Sequence, residues 1–586
     1  MDSSTGLDAI TLEVIKNRFR ELGSTMEHLL FHSGYSTILR ESRDGSAGIC
    51  DRDGYAVEAA GTPIHLYPYY LGVRAVLESY PIEQMSDGDS FILTDPYLGG
   101  SLHVPDLTIV TPVFVDQEVI AFSVSIAHKP DLGGLVPGSS GAGAREIFHE
   151  GLLVPPVRYW TRDGVVKEIE AIIKRNCRIP EVIAGDIRAQ VGCTTVGARR
   201  VRELCSEYGT ETIKTAFSEL LRLAEERVRR GLSQWPDGEA EAEGWVDDDG
   251  VDRDKALRLH VKVIKKVDEI TFDYSQMNEQ VKGPINLRPQ TSYVAAVLSL
   301  LTYLDPTIPI NDGIRRPIKF INPEGKITNP RWPAPVNSYY GLTHVLYSTI
   351  GRALSRFNPK RAVASAGLGL GAMAVGHQEN RLGKKAVQYE LYVTSQGGSS
   401  EHDGSFGVTM LNGTPNTPVE IIETEFPVRV CRHEFVPDSA GPGRFRGGPG
   451  NCKEYEVLGD AVLTLRLGHQ FNHAGWGVLG GKAPSTVRAT LIPREQGERP
   501  LRPLETVHLV AGDRFRVEMP GGGGYGDPLS RDPARVLNDV LDGIVSIDAA
   551  ERDYGVVIEQ ASMTVDAAQT ARIRTERQSP GMKVEG

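Results

Sequence analysis

A chain of 586 residues is too long for a single core, so roughly three or four domains are expected. Its 40% hydrophobic and 24% charged content is that of a soluble globular protein, and a net charge of −12 excludes the basic face a nucleic-acid partner would require. The opening residues carry neither a basic start nor an apolar core, and no run reaches about 18 apolar residues, which excludes a visible secretory signal and a membrane span.

In chain order, apolar residues at Ile10, Leu12, Val14, Ile15, Phe19, Leu22 and Met26 predict a helix over 7–33, with Asp8 as its N-cap. Short strands over 46–50 and 55–60 flank a hairpin turn at Asp51-Arg-Asp-Gly54. Strands are predicted over 91–94 and 107–115, and a further apolar run over 119–127 ends at His128. Residues 178–207 and 211–234 read as helices, and a boundary falls near Pro236. Residues 257–274 alternate as a strand through Leu259, Val261 and Val263 and on through Ile270 and Phe272. Helices follow over 292–304 and 338–357.

From 386 to 518 the pattern is mostly β, with strands over 389–393, 419–430, 454–457, 461–467 and 485–491 separated by Gly- and Pro-rich turns. Residues 532–542 read as a closing helix, and the polar final fifteen or so residues as frayed. The six cysteines (Cys50, Cys177, Cys193, Cys205, Cys431 and Cys452) are scattered without a Cys-x-x-Cys pair, which reads as reduced thiols in a cytoplasm.

His103 and Asp106 lie three apart in a Gly-rich loop, His128 caps the next strand, and Asp44 ends Leu39-Arg-Glu-Ser-Arg-Asp44. Two imidazoles and two carboxylates suit Zn²⁺, Mn²⁺ or Fe²⁺. By spacing alone the plainer reading, a loop histidine and a hydrogen-bonded strand end, stands ahead of a metal. Asp131, in Ala127-His-Lys-Pro-Asp131-Leu-Gly-Gly134, reads equally as a base or as an Asx turn. His149 and Glu150 read as further polar groups near the site or as polar residues facing solvent. No P-loop occurs, Gly138-Ser-Ser-Gly-Ala-Gly143 is loop-like rather than a nucleophile elbow, and Ala366-Gly-Leu-Gly-Leu-Gly371 lacks a dinucleotide-binding context. The glycine segments 441–450 and 520–528 suit close backbone approach, and the one after Pro520 suits, as the lesser alternative, amides cradling an anion.

Ordered motifs along nearly the whole chain carry a resemblance. They include Ile10-Thr-Leu-Glu-Val-Ile-Lys-Asn-Arg18, Arg40-Glu-Ser-Arg-Asp44, Asp95-Pro-Tyr-Leu-Gly-Gly-Ser-Leu-His103-Val-Pro-Asp106, Glu146-Ile-Phe-His-Glu-Gly151, Gly185-Asp-Ile-Arg-Ala-Gln190, Val281-Lys-Gly-Pro-Ile-Asn286 and Asn416-Thr-Pro-Val-Glu420. In these the chain resembles the hydantoinase B-type subunits of ATP-dependent amidohydrolases and ketone carboxylases.

The resemblance implies a hetero-oligomer in which a hydantoinase A-type ATPase subunit phosphorylates a small-molecule substrate and the B-type subunit completes the reaction at a divalent metal. A small third subunit accompanies some members. Asp44, His103, Asp106 and His128 match the family's metal ligands, while Asp131, His149 and Glu150 are the expected catalytic groups. Hydrolysis of a cyclic amide (hydantoin, oxoproline or lactam) is the first expectation, ketone carboxylation the second, and a non-catalytic scaffold the third.

Two departures bear on the substrate. Lys129 stands where relatives carry a second histidine, and His65-Leu-Tyr-Pro-Tyr-Tyr70 brings tyrosines that could line a pocket for an aromatic or apolar substrate. The expected fold is multidomain α+β: an N-terminal mixed metal-bearing part (1–236), a middle α+β part (237–385), a β-rich part (386–530), and a C-terminal helix and tail (531–586).

Overall fold

The computed structural model of the chain describes residues 7–139, 141–367, 370–407, 411 and 413–578. Helix α1 (Ala9–His32) starts where expected: the Asp8 carboxylate accepts from the amides of Ile10 and Thr11, both at 3.0 Å. Its stripe of Ile15, Phe19, Leu22, Met26 and Leu30 is buried.

α1 and the short α2 (Thr37–Arg40) lead into a seven-stranded sheet. It is built from β1 (Gly45–Asp51), β2 (Ala56–Gly61), β3 (Ser90–Leu93), β4 (Asp106–Val115), β5 (Glu118–His128), β6 (Val157–Thr161) and β7 (Gly164–Val165), in the order β2-β1-β5-β4-β3-β6-β7. Helix α3 (Leu66–Ser79) covers one face, where Tyr69, Val73 and Val76 meet Val110, Phe122 and Val124. After α4 (Lys167–Asn176), the 29-residue α5 (Pro180–Tyr208) covers the other face together with α1. Cover on both faces explains why β4 and β5 read as near-continuous apolar runs.

Helix α6 (Thr210–Leu232) runs into a second sheet of β8 (Gly238–Val246), β9 (Leu257–Lys266), β10 (Glu269–Asp273) and β11 (Ile318–Ile321), in the order β11-β10-β9-β8. Residues 257–274 are therefore two antiparallel strands rather than one. Val267 takes φ +57°, and the chain reverses there while keeping the alternation that made the stretch read as continuous. Helices α7 (Pro289–Leu304) and α8 (Tyr340–Leu354) share one apolar cluster with this sheet.

Two further sheets stack on each other. One is β12 (Leu370–His377), β13 (Ala386–Val393), β16 (Ala461–Arg466) and β19 (Leu504–Leu509), ordered β13-β12-β16-β19. The other is β14 (Val428–Val436), β15 (Gly450–Val457), β17 (Arg488–Ile492), β18 (Arg499–Pro500) and β20 (Arg514–Glu518), ordered β14-β15-β20-β17-β18. Met373, Val375, Leu463 and Leu465 interdigitate with Tyr455, Phe515 and Val517 between them. The predicted strand over 419–430 is instead α9 (Val419–Glu425) followed by β14. Pro418 starts the helix and Glu420 favours its first turn, and so short an apolar run fits either period.

The closing helix is α10 (Pro533–Leu541), and a last helix spans Ala567–Gln578, so the final eight residues of the tail expected to fray lie outside the described residues. Ser140 of the 138–143 loop and residues 368–369 of the 366–371 run lie outside them too. All six cysteines are free, and among the described residues no helix is long and apolar enough to cross a membrane. The two glycine segments pack backbone against backbone: a Cβ on Gly447 would fall 1.8 Å from the Gly522 carbonyl oxygen, and one on Gly524 would fall 1.9 Å from that of Pro442. Close approach accounts for these glycines.

Candidate metal centre

The register of the first sheet assembles the site. Asp106 opens β4 directly opposite His128, the last residue of β5. On the other side of β5, Gly45 pairs with Ala127, and the His128 amide donates to the Asp44 carbonyl at 3.0 Å. Three strand ends thus bring Asp44, His128 and Asp106 together. His103 arrives on the β3–β4 loop, whose turn is closed by the Asp106 amide donating to the His103 carbonyl at 3.2 Å. The loop is pinned from outside by Gln290, whose Nε2 donates to the carbonyls of Pro96 (3.0 Å) and Ser101 (2.9 Å).

His103 Nε2 lies 2.9 Å from Asp106 Oδ1 and 3.1 Å from His128 Nδ1, and the latter two are 3.2 Å apart. All three side chains are buried. Among the described residues this is the one group of three His, Cys, Asp or Glu side chains whose ligand atoms converge in this way. Ligand atoms around a tetrahedral ion with bonds near 2.0–2.1 Å sit roughly 3.3 Å apart, close to the observed triangle.

The hydrogen bonds around His103 fix its tautomer. Asn337 Nδ2 donates to the Ser139 carbonyl (2.6 Å), so its Oδ1 faces His103 Nδ1 at 2.5 Å and takes the ring proton. Nε2 is then left with a lone pair pointed at a carboxylate oxygen. A shared cation resolves that repulsion, and Asp106 Oδ2 and His128 Nε2 are further buried atoms without partners. The residues therefore fit a divalent ion held by His103, Asp106 and His128.

The electrostatics agree. Burial, with His103 alongside, pushes His128 down to about 3, so its imidazole is neutral, as a ligand must be. Burial alone would raise Asp106, but the imidazole of His103 first, with those of His128 and His65, holds it well below the usual carboxylate range, the direction a cation shared among them would reinforce. Burial and the neighbouring Asp106 raise Asp44 to about 6. Its carboxylate stands beside the triangle rather than inside it.

The three remaining expected residues have other engagements. Asp131 is buried, with its oxygens taken by the amides of Gly133, Gly138 and Arg178 and by the Arg178 guanidinium at 2.9 Å. Glu150 is buried with its carboxylate on the amides of Val336 (2.9 and 3.0 Å) and Asn337 (2.8 Å), bracing the loop that presents Asn337 to His103. His149 is half-buried, and its Nδ1 accepts from the Arg145 amide at 3.1 Å.

The tyrosines after His65 do not line the site: Tyr67 and Tyr70 stack near-parallel under the Arg315 guanidinium, and Tyr69 is buried in the core against β1 and β5. Their attraction to Arg315 and to the core outcompetes a pocket role. Residues that spacing did not single out complete the surroundings. His65 has Nε2 3.8 Å from Asp106 Oδ2 and Nδ1 on the Ser46 hydroxyl at 2.9 Å. The Tyr340 hydroxyl is 3.5 Å from His103 Nδ1. Lys129 is buried, its ammonium donating to the Ala127 carbonyl at 3.2 Å.

A sequence model of the family described as hydantoinase B/oxoprolinase matches residues 8–528. A Pseudomonas sp. protein, provisionally named as the B-type subunit of a D-/L-hydantoinase, is 33% identical over 97% of this chain and 98% of its own. The beta subunit of the caprolactamase of Pseudomonas jessenii is 30% identical over 96% of this chain and 98% of its own. The crystal structure of the ATP-dependent caprolactamase from that organism superposes with a TM-score of 0.89 at 28% identity, covering 97% of this chain and all of the other. Nucleotide-free acetone carboxylase shares the fold, with a TM-score of 0.90 at 20% identity over 98% of this chain and 83% of the other.

Proposed function

The chain belongs to the hydantoinase B/oxoprolinase family, and from that premise we propose that it is the metal-bearing subunit of an ATP-dependent heteromeric enzyme that completes the hydrolysis of a cyclic amide. A hydantoinase A-type partner would carry the ATP-dependent phosphorylation. The observation that carries this reading is the convergence of His103 Nε2, Asp106 Oδ1 and His128 Nδ1 within 3.2 Å of one another. The names of the two relatives, one from a hydantoinase and one from a caprolactamase, support cyclic amides as the substrate class. Ketone carboxylation loses the local feature that spoke for it, because the tyrosines of 67–70 do not face the cluster.

A divalent ion held there supplies positive charge against the negative charge that develops on a carbonyl or phosphoryl oxygen. This chain's own residues prepare the place. Asn337 keeps the His103 proton on Nδ1 and the ring in one orientation, and Glu150 holds Asn337. Burial of His103, Asp106 and His128 strengthens each interaction by excluding water. Asp44 and Asp106 set a negative field at the strand ends that favours a cation over a bare proton network.

The test is His103→Ala in the complex reconstituted with its ATPase partner, following bound metal, phosphate release and ring-opened product together. The expected result is loss of bound metal and of product with partial retention of phosphate release. Undiminished product would end the reading. Equal loss of both activities would assign the metal to assembly and favour a scaffold role.

A further inference from the structure

A second group of buried polar atoms lies one tyrosine layer away from the metal centre. Arg466, the last residue of β16, is 1% exposed, and none of its Nε, Nη1 and Nη2 atoms has a hydrogen-bond partner. Its guanidinium lies over the rings of Tyr389 (4.7 Å) and Tyr340 (5.7 Å). Those two hydroxyls bond each other at 2.9 Å and, against the effect of burial, lie close enough to raise the guanidinium above its usual value, yet leave all three nitrogens without a bond of proper geometry. On their other sides the same rings touch the metal cluster, Tyr389 against His128 (centroids 4.4 Å apart) and Tyr340 edge-on to His103 (5.5 Å).

His469 follows three residues later, is fully buried, and has no partner for either ring nitrogen. Its ring presses against the start of α8: a Cβ on Gly341 would fall 2.4 Å from Cδ2 and 2.9 Å from Nε2. That helix start has no side-chain cap and turns the positive end of the helix dipole toward the ring.

A guanidinium cannot shed its charge as a buried lysine or histidine can, and an unpaired buried charge is strongly unfavourable. One fixed cation and its neighbouring neutral donors suit an oxyanion: a planar fork on Arg466, an imidazole that burial lowers to about 4 and so keeps neutral, and the N-terminus of α8. Gln470, the next residue after His469, lines an open cleft of about 680 Å³ between β8 and the C-terminal half of α8, while Arg466 and His469 themselves are buried behind it.

We propose that Arg466, His469 and the uncapped start of α8 form an oxyanion-binding site of the phosphate or carboxylate class, adjoining the His103–Asp106–His128 cluster. On the cyclic-amide reading it would hold the anionic group of the substrate while the neighbouring centre acts on the reacting bond. Oxyanion binding itself does not depend on that reading.

The experiment uses the full chain, with inorganic phosphate, bicarbonate and acetate as separate probes and chloride at matched ionic strength as control. Binding is followed by titration calorimetry and by the unfolding midpoint, which a ligand specific to the folded state raises saturably. At least one oxyanion is expected to bind saturably where chloride does not, and which one separates a phosphoryl from a carboxylate ligand. Arg466→Met is expected to weaken that binding at least tenfold while leaving the ligand-free midpoint unchanged or higher, since a buried unpaired charge is removed.

Should Arg466→Met fail to fold, His469→Gln and Arg466→Lys carry the test, each with weakened binding expected. His103→Ala is expected to keep the oxyanion response, so failure of the metal reading leaves this site standing. No saturable response to any of the three oxyanions, or an undiminished response in all three of the Arg466 and His469 variants, would overturn the proposal.

Discussion

Two arginines of this chain are equally buried and oppositely treated. Arg531 and Arg466 are each 1% exposed. Arg531 makes five hydrogen bonds: Nε and Nη2 reach Asp539 Oδ2 at 3.1 and 2.7 Å, Nη1 reaches Asp403 Oδ1 at 2.7 Å and the Arg444 carbonyl at 3.1 Å, and Nη2 reaches Asp403 Oδ2 at 2.9 Å. Arg466 makes none. The first ties the 399–407 loop to α10 and is complete in itself; the second is complete only with something the chain does not supply. Other buried cations also have an acceptor: Lys453 has Glu390 at 3.7 Å, Lys265 has Asp237 at 2.9 Å, and Lys129 donates to the Ala127 carbonyl at 3.2 Å. The exception beside the metal cluster therefore reads as binding equipment rather than architecture.

The largest expected effect sharpens that contrast. Arg531→Met removes the partner that Asp539 and Asp403 share, leaving Arg446 alone on the first and Arg535 on the second, and should destabilise the protein by about 3 kcal/mol because one side of a buried charge network is lost. Denaturant unfolding of Arg531→Met beside Arg466→Met checks it. Similar losses from both substitutions would erase the distinction and mark Arg466 as structural too.

A smaller effect is expected at the metal centre, where the groups behind the ligands are bonded as fully as those around Arg531. Asn337→Leu removes the 2.5 Å side-chain acceptor for His103 Nδ1–H and leaves only the main-chain carbonyl of residue 337 at 3.1 Å, which holds the ring less firmly. Affinity for a divalent ion should fall about 10- to 100-fold. Competition with a coloured chelator measures it, and an affinity within a factor of about two of the parent would show that the 2.5 Å contact does not govern the ligand.

How much of this was legible in the sequence differs between the two clusters. Asp106 and His128 could be read as neighbours because they bound a tight hairpin whose strands show their own patterning, and His103 lies one turn away from Asp106. The register that sets Asp44 beside His128 follows from the β1–β5 pairing, which no local spacing announces. Asn337 stands 234 residues from His103 and sits in an irregular segment, so nothing periodic pointed to it. Arg466 and His469 read as an ordinary strand end and turn, and only their missing partners set them apart.

The sequence also could not reveal that the carboxylates of Asp131 and Glu150 are absorbed by backbone amides, since Asx turns and loop braces share the same residue types as general bases. At the level of elements, residues whose burial is one-sided were read well. Two stretches were not: 257–274, where the alternation continues unbroken across the turn at Val267, and 419–430, short enough to fit either period.

The smallest expected effect tests burial without a partner on the opposite charge. Glu58 on β2 lies beneath α1, with Cγ and Oε1 3.2 Å from where a Cβ on Gly23 would be. Burial, only partly offset by Arg20, raises its carboxyl to about 7. A folded-state value above the unfolded one means that the folded state holds the proton more tightly. The resulting stability is full below the unfolded value near 4.5 and is lost as pH rises through about 7. Glu58→Gln has no proton to lose. It should match the parent near pH 4.5 and exceed it by about 1–2 kcal/mol at pH 8, a figure reduced from the full shift because the side chain retains partial access to water. Denaturant midpoints of both proteins across this range decide the matter. A difference that stayed flat with pH would show that Glu58 ionises freely. The contrast between Arg531 and Arg466 would then hold for cations alone, because this fold would tolerate a partnerless buried carboxylate at no measurable loss.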